Sequence, residues 1–168
     1  DDQQMLRDTF ARFLDEHSSM ERVRKAKAAG GFDKALWEGL AELGTFAMRV
    51  PEDAGGLGLG ALDAALVCEE AGRTLASGPV AEAIVAARLI GQLGGEIDKV
   101  AAGAKVVTLA HHDLASRPVQ WLAGGAAADL VVARKGDAVV LVTLAEADRK
   151  AEETLADNGL AEIDLGAA

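Results

Sequence analysis

The sequence predicts an α+β fold, with an N-terminal all-α helical domain (residues 1–103) followed by a small antiparallel β domain (residues 104–168). Three observations support this prediction. Apolar residues recur at helical spacing through the first two thirds of the chain, and β-branched runs dominate the remainder. The 168 residues are 50% hydrophobic, which is enough apolar material to bury a core.

Three helices are expected in the first 50 residues. Over residues 3–17 the apolar side chains recur every three or four positions, and a charged stretch over residues 20–27 continues helically. Asp33 is placed to cap the start of a third helix. Gly44 is placed to end it, because glycine adopts the left-handed backbone of a helix C-terminus without steric cost.

A glycine-rich loop over residues 50–60 separates these helices from two more. Its glycines resemble a nucleotide-binding loop in composition, but they follow a helix and not a strand, which favours a sharp crossing between helices. The last long helix, over residues 80–93, is apolar nearly all round. We therefore expect it to lie buried in the middle of the helical bundle.

The helix over residues 61–76 carries both apolar and charged positions. Leu62 is expected to face inward together with later apolar residues of the same helix. Glu69 and Glu70 lie about one turn before Arg73, a spacing typical of a structural ion pair.

The last third of the chain predicts several short strands. Gly136 and Asp137 form a two-residue hairpin signal within it. Residues 146–156 are charged and compatible with either a helix or a loop. The predicted strands cover residues 105–110, 129–134, 138–144 and 160–165.

Composition excludes several functional classes. A formal charge of −10 and a pI near 4.7 argue against nucleic acid and anionic membrane surfaces as partners, since both require basic residues. The single cysteine, Cys68, allows neither an internal disulfide nor a Cys-rich zinc site, and is expected to be a small core residue. With no signal sequence at its start, the chain is expected to be a soluble, cytoplasmic protein.

Two features remain as candidates for a ligand site. His111 and His112 end a predicted strand, where neighbouring side chains point to opposite faces, so no metal site is predicted there. Trp121 precedes a run of small residues. Its indole either packs in the core or forms the wall of a site for a planar ligand such as a flavin ring, and the residues alone leave both readings open.

An ordered, ungapped series of residues runs through the glycine-rich loop and the helices after it. The series is Pro51, Glu52, Gly55, Gly56 and Gly58, then Glu69, Glu70, Gly72 and Arg73, then Gly78 and Pro79. It resembles the acyl-CoA dehydrogenase family, which has a Pro-Glu-x-x-Gly-Gly-x-Gly loop, a Glu-Glu-x-Gly-Arg helix and a small-Gly-Pro break. The resemblance implies that the helical region is the family's N-terminal domain and the β region an abbreviated middle domain.

The resemblance further implies an FAD-dependent oxidoreductase of lipid metabolism. Such an enzyme desaturates an acyl-CoA thioester between its α and β carbons, passes a hydride to FAD, serves an electron-transfer acceptor, and works as a homo- or hetero-oligomer. In the family two strand segments meet the flavin ring. They align here with His111 and His112, and with Trp121, Leu122 and Ala123, which are therefore the predicted cofactor-binding residues.

Departures from the family pattern leave alternatives open. The two family threonines that hydrogen-bond the flavin are replaced by His112 and Ala123. The C-terminal domain that supplies the family's catalytic glutamate is expected beyond Ala168, so no catalytic residue is predicted in this chain. The alternatives are a non-catalytic, flavin-poor partner subunit of a hetero-oligomeric acyl-CoA dehydrogenase, or an acyl-CoA-binding module without redox activity.

Overall fold

The computed structural model describes residues 2–153 and 159–167. Within them, helices precede strands along the chain, which confirms the α+β class. The helices are α1 (Asp2–His17), α2 (Met20–Ala28), α3 (Lys34–Glu42), α4 (Ala61–Arg73), α5 (Val80–Gln92) and α6 (Asp98–Ala101). The strands are β1 (Val107–Leu109), β2 (Val119–Leu122), β3 (Leu130–Lys135), β4 (Ala138–Thr143) and β5 (Ala161–Asp164).

The ends of α3 follow the predicted signals. Asp33 caps the start, its Oδ1 accepting a hydrogen bond of 3.1 Å from the backbone N of Leu36. Gly44 lies just after the helix with φ +80°, and its amide donates to the carbonyl of Ala41. Both predictions are confirmed, because each depends only on residues within one helical turn.

The glycine-rich loop doubles back on the chain before it. Backbone hydrogen bonds join Gly58 to Val50 and Leu59 to Met48, at 2.9 and 2.8 Å. Gly56 lies so close to Val50 that a Cβ on Gly56 would overlap the Val50 carbonyl. The loop is therefore a sharp crossing between helices, as predicted.

The expectation that Leu62 faces inward is wrong. Its side chain is 56% exposed, whereas Val67, Glu70 and Ala71 form the buried stripe of α4. The reason is angular: at 100° per residue, Leu62 lies about 140° around the helix from Val67.

Helix α5 lies between α4 and the strands, packing against β1 and β3 on its other side. Its buried face is rich in alanine, including Ala83 and Ala87, which allows close approach. The helix is central, but it is not covered all round as expected, because Val85 is 46% exposed. One continuous hydrophobic core joins the helices to the strands.

The strands form two small sheets. In the first, of order β1-β3-β4, the hairpin between β3 and β4 turns at Gly136 and Asp137 as predicted. In the second, β2 pairs antiparallel with β5. The predicted antiparallel arrangement has one exception, because β1 pairs parallel with β3. The chain passes through β2 between them, and this crossover returns it in the same direction.

Two further sequence expectations concern the described residues. In the charged stretch over residues 146–156, Glu146–Asp148 forms a single 3₁₀ turn, while residues 154–156 lie outside the described part of the chain. Among residues 2–153 and 159–167, no helix combines the length and apolarity needed to span a membrane.

Candidate functional site

Strand β2 places Trp121 on the outer face of its sheet. Side chains alternate along β2, so that Gln120 and Leu122 are buried while Val119 and Trp121 are exposed. The indole of Trp121 is 51% exposed. Of the two readings left open for this residue, packing in the core is thereby excluded, and the indole is free to contact a ligand.

The segment after β1 is tied to β2 through Gln120, the residue before Trp121. The backbone N of His112 donates to Oε1 of Gln120 at 2.9 Å, and Nε2 of Gln120 donates to the His112 carbonyl at 2.8 Å. The side chains of His111 and His112 are both exposed. The structure therefore brings together the two segments that carry the predicted cofactor-binding residues.

The imidazole of His112 has a defined partner. Its Nε2 lies 3.2 Å from Nη1 of Arg117. Because a guanidinium can only donate, this ring nitrogen is the acceptor in the pair. Within residues 2–153 and 159–167 no cluster of three His, Cys, Asp or Glu side chains is arranged to hold a metal ion.

The remaining predicted residues are Leu122 and Ala123, and neither presents a polar side chain to the candidate site. The side chain of Leu122 is completely buried. The carbonyl of Ala123 accepts a hydrogen bond of 2.7 Å from Oγ1 of Thr108, a side chain that is itself fully buried. Ala123 has no hydroxyl to replace the family threonine, and its carbonyl oxygen already has a partner within the protein.

Asp113 anchors the histidine segment on the other side, which the sequence analysis missed. Its carboxylate accepts backbone hydrogen bonds from Gly136 at 3.0 Å and Ala115 at 2.9 Å, and pairs with Arg134 at 3.1 Å. These backbone donors, together with Arg134, hold the pKa of Asp113 below its ordinary value. An aspartate two residues before Ala115 is a turn signal that could have indicated this role.

The charges around Trp121 favour a flat ring over an anion. Glu162 of β5 is paired directly opposite Trp121, and Asp164 is opposite Val119. Directly paired residues share one face of an antiparallel sheet, so both carboxylates lie on the indole side. A positive charge lies in the loop between β1 and β2, where the guanidinium of Arg117 is hydrogen-bonded to the imidazole of His112.

The resemblance to the acyl-CoA dehydrogenase family implies a flavin ring at this face. The exposed indole offers a flat apolar wall, and the imidazoles of His111 and His112 offer hydrogen-bonding groups. The residues present fit an isoalloxazine ring. They differ from the family pattern at Ala123, where only backbone groups are available.

An apolar groove lies between α4 and α5. It is a groove of about 480 Å³ whose apolar lining includes Ile84, Val85 and Leu89, with Arg49 and Arg88 also bordering it. The half-buried Cys68 lies in the same groove, and burial raises the pKa of its thiol, which makes it a poor nucleophile.

Comparison with known proteins identifies the family. The profile described as "Acyl-CoA dehydrogenase, N-terminal domain" matches residues 1–107. The chain belongs to the acyl-CoA dehydrogenase family. One relative in this family, the acyl-CoA dehydrogenase IpdE2 of Mycolicibacterium smegmatis, is 31% identical over 141 residues, which are 82% of this chain and 43% of IpdE2.

Several solved structures share the fold. The Tcur3481-Tcur3483 steroid ACAD G363A variant has a TM-score of 0.78 at 23% identity, covering 98% of this chain and 54% of that one. The ChsE4-ChsE5 complex from Mycobacterium tuberculosis gives 0.70 at 23% identity, covering 98% and 55%. A glutaryl-CoA dehydrogenase from Mycobacterium smegmatis in complex with FADH2 gives 0.60 at 15%, covering 98% and 52%. The chain therefore spans about half the length of these proteins.

Proposed function

We propose that this chain supplies the flavin-contacting face of an FAD-dependent acyl-CoA dehydrogenase, which introduces a double bond between the α and β carbons of an acyl-CoA thioester. The observation that carries the proposal is the half-exposed indole of Trp121, on the strand to which the His111–His112 segment is tied through Gln120. Bound FAD supplies the acceptor for the hydride that leaves the β-carbon.

The residues of the face have distinct roles in this proposal. Trp121 stacks against the ring and excludes water from it. His111 and His112 hydrogen-bond the polar edge of the ring, and Leu122 and Ala123 contribute backbone groups. No carboxylate of this chain is assigned as the catalytic base.

The substrate would use the groove between α4 and α5. We propose that the acyl chain lies along α5, against Ile84 and Val85, because the groove is apolar and has the volume of a small-molecule site. The enzyme would work in the cytoplasm as a homo- or hetero-oligomer and pass its electrons to an electron-transfer partner.

A second candidate function is a flavin-poor partner subunit. The missing hydroxyl at Ala123, and the engagement of its carbonyl by Thr108, favour this alternative. The ChsE4-ChsE5 structure, a complex of two differently named proteins, shares the fold of this chain, which is compatible with a hetero-oligomer here.

The test is flavin content and affinity. The protein is purified as the product of its complete gene, and its visible absorbance and released flavin are measured. Trp121→Ala should weaken FAD binding about tenfold, because the ring loses its stacking wall, and Trp121→Phe should retain most of the affinity.

Two results would contradict the first proposal. One is an unmodified protein that is purified without flavin and binds no added FAD. If the protein then takes up flavin when it is co-expressed with a second dehydrogenase subunit, the partner-subunit function is supported. The other is a Trp121→Ala variant that binds FAD as tightly as the unmodified protein.

A further inference from the structure

Gln120 is a polar residue on the core side of β2. Its side chain is 3% exposed, and a buried amide is costly unless its hydrogen bonds are made. All of them are made here. Oε1 accepts from the backbone N of His112, while Nε2 donates to the carbonyls of His112 and Arg117 at 2.8 and 2.7 Å.

This network has one orientation. Rotating the amide by 180° would place its oxygen against two carbonyl oxygens and its nitrogen against a backbone N–H. Gln120 therefore grips the backbone of His112 through both its N–H and its carbonyl. These hydrogen bonds join the two ends of the loop between β1 and β2. On the other side of the same segment, Asp113 accepts a hydrogen bond from the backbone N of Gly136.

We infer that Gln120 is a positioning residue for the flavin face, an inference that rests on the proposed function. Gln120 directly precedes Trp121, so its hydrogen bonds to the backbone of His112 fix the position of the histidine segment relative to the indole. The side chain itself faces the core, so it would act through the backbone of His112 rather than by contact with the flavin.

The expected effect of removing the Gln120 hydrogen bonds follows from the fraction of molecules whose histidine segment keeps the geometry that binds FAD. If the segment keeps its binding geometry only one tenth of the time without Gln120, the apparent dissociation constant for FAD rises about tenfold. A residue that only fills the core would lower stability without changing the order of the segment.

The experiment compares Gln120→Met and Gln120→Glu in the complete gene product. Methionine keeps the length of the side chain and removes all three hydrogen bonds, and a glutamate carboxylate cannot donate to the two carbonyls. The control is Gln4→Met, an exposed glutamine whose amide donates to Asp8 on α1. For each variant the FAD dissociation constant, the unfolding midpoint and the hydrogen exchange of the His112 amide are measured.

Both Gln120 variants should weaken FAD binding about tenfold and speed exchange at the His112 amide, while Gln4→Met changes neither. If the unmodified protein binds FAD and both Gln120 variants bind it equally well, the inference is wrong and the proposed function stands. If the unmodified protein binds no FAD, the proposed function fails and the inference fails with it. Unchanged exchange at His112, or the failure of both variants to fold, would also overturn it.

Discussion

The helical region and the β region differ in how much they use polar side chains to position their segments. In the helical region large apolar side chains interlock, as where Trp37 stacks on Phe46 with ring centroids 4.1 Å apart. In the β region, buried or half-buried polar side chains join segments distant in sequence: Gln120 joins β2 to the histidine segment, and Asp113 joins that segment to the β3–β4 turn. The comparison teaches that apolar packing builds the scaffold, whereas polar side chains place the candidate ligand face.

The two regions also meet at a tight contact. Gly124, with φ +63°, follows the predicted flavin-contacting strand, and a Cβ at this position would overlap the ring of Pro79. Pro79 immediately precedes α5, the helix that borders the apolar groove. The candidate flavin face and the candidate acyl groove are therefore joined through one close backbone approach.

The largest predicted effect concerns packing of the helical region. Gly56→Ala should lower the free energy of unfolding by about 3 kcal/mol, because its Cβ would overlap the Val50 backbone, which cannot move as a side chain can. Gly72→Ala is the matched control, because nothing lies within 4 Å of the Cβ it would add. Replacing glycine by alanine inside a helix should raise the free energy of unfolding by about 0.5–1 kcal/mol. Urea unfolding measures both. Equal changes in the free energy of unfolding for the two substitutions would contradict the conclusion that close packing stabilises this region.

An intermediate effect is expected from the buried charge of the helical region. The carboxylate of Glu70, 3% exposed, accepts from Arg73 at 2.6 Å and Arg7 at 2.9 Å, which links α4 to α1. Glu70→Gln should lower the free energy of unfolding by about 1–2 kcal/mol at pH 7, because hydrogen bonds to a charged group are lost. Glu69→Gln, at an exposed position, is the control and should change stability little.

The same substitution predicts a pH dependence. Hydrogen bonds from Arg73 and then Arg7 hold the pKa of Glu70 below its ordinary value of 4.5. The stabilisation is therefore present above about pH 4.5 and is lost as the pH falls through the lower folded-state pKa. Unfolding measured from pH 7 to 3 should show the difference between unmodified protein and Glu70→Gln shrinking in acid. A constant difference would contradict this assignment.

The smallest effect sharpens the account of the ligand face. Glu162→Gln removes a negative charge opposite Trp121 and should tighten binding of the anionic FAD about twofold to threefold at low salt. Stability should change by less than about 0.5 kcal/mol, because Glu162 is exposed. Glu96→Gln, the same charge change on the helical region, should not alter FAD binding. A gain that persists in 1 M salt would argue against an electrostatic cause.

Much of the fold was predictable from local patterns. The cap at Asp33, the stop at Gly44, the hairpin at Gly136 and the pair of Glu70 with Arg73 each depend on residues a few positions apart. Family motifs extended this to the expectation of a flavin face. The inward placement of Leu62 was wrong because the buried stripe of α4 is set by what packs against it.

The sequence by itself determined the five longer helices, their place before the strands and the family to which the chain belongs, since periodicity, caps and motifs are properties of neighbouring residues. Only the tertiary structure decided that β1 runs parallel to β3, that Trp121 is exposed, and that Gln120 grips His112. The physical reason is separation along the chain. The contacts that place the face join residues 8, 15 and 23 positions apart, and no local preference of the backbone specifies which of these distant polar groups will meet.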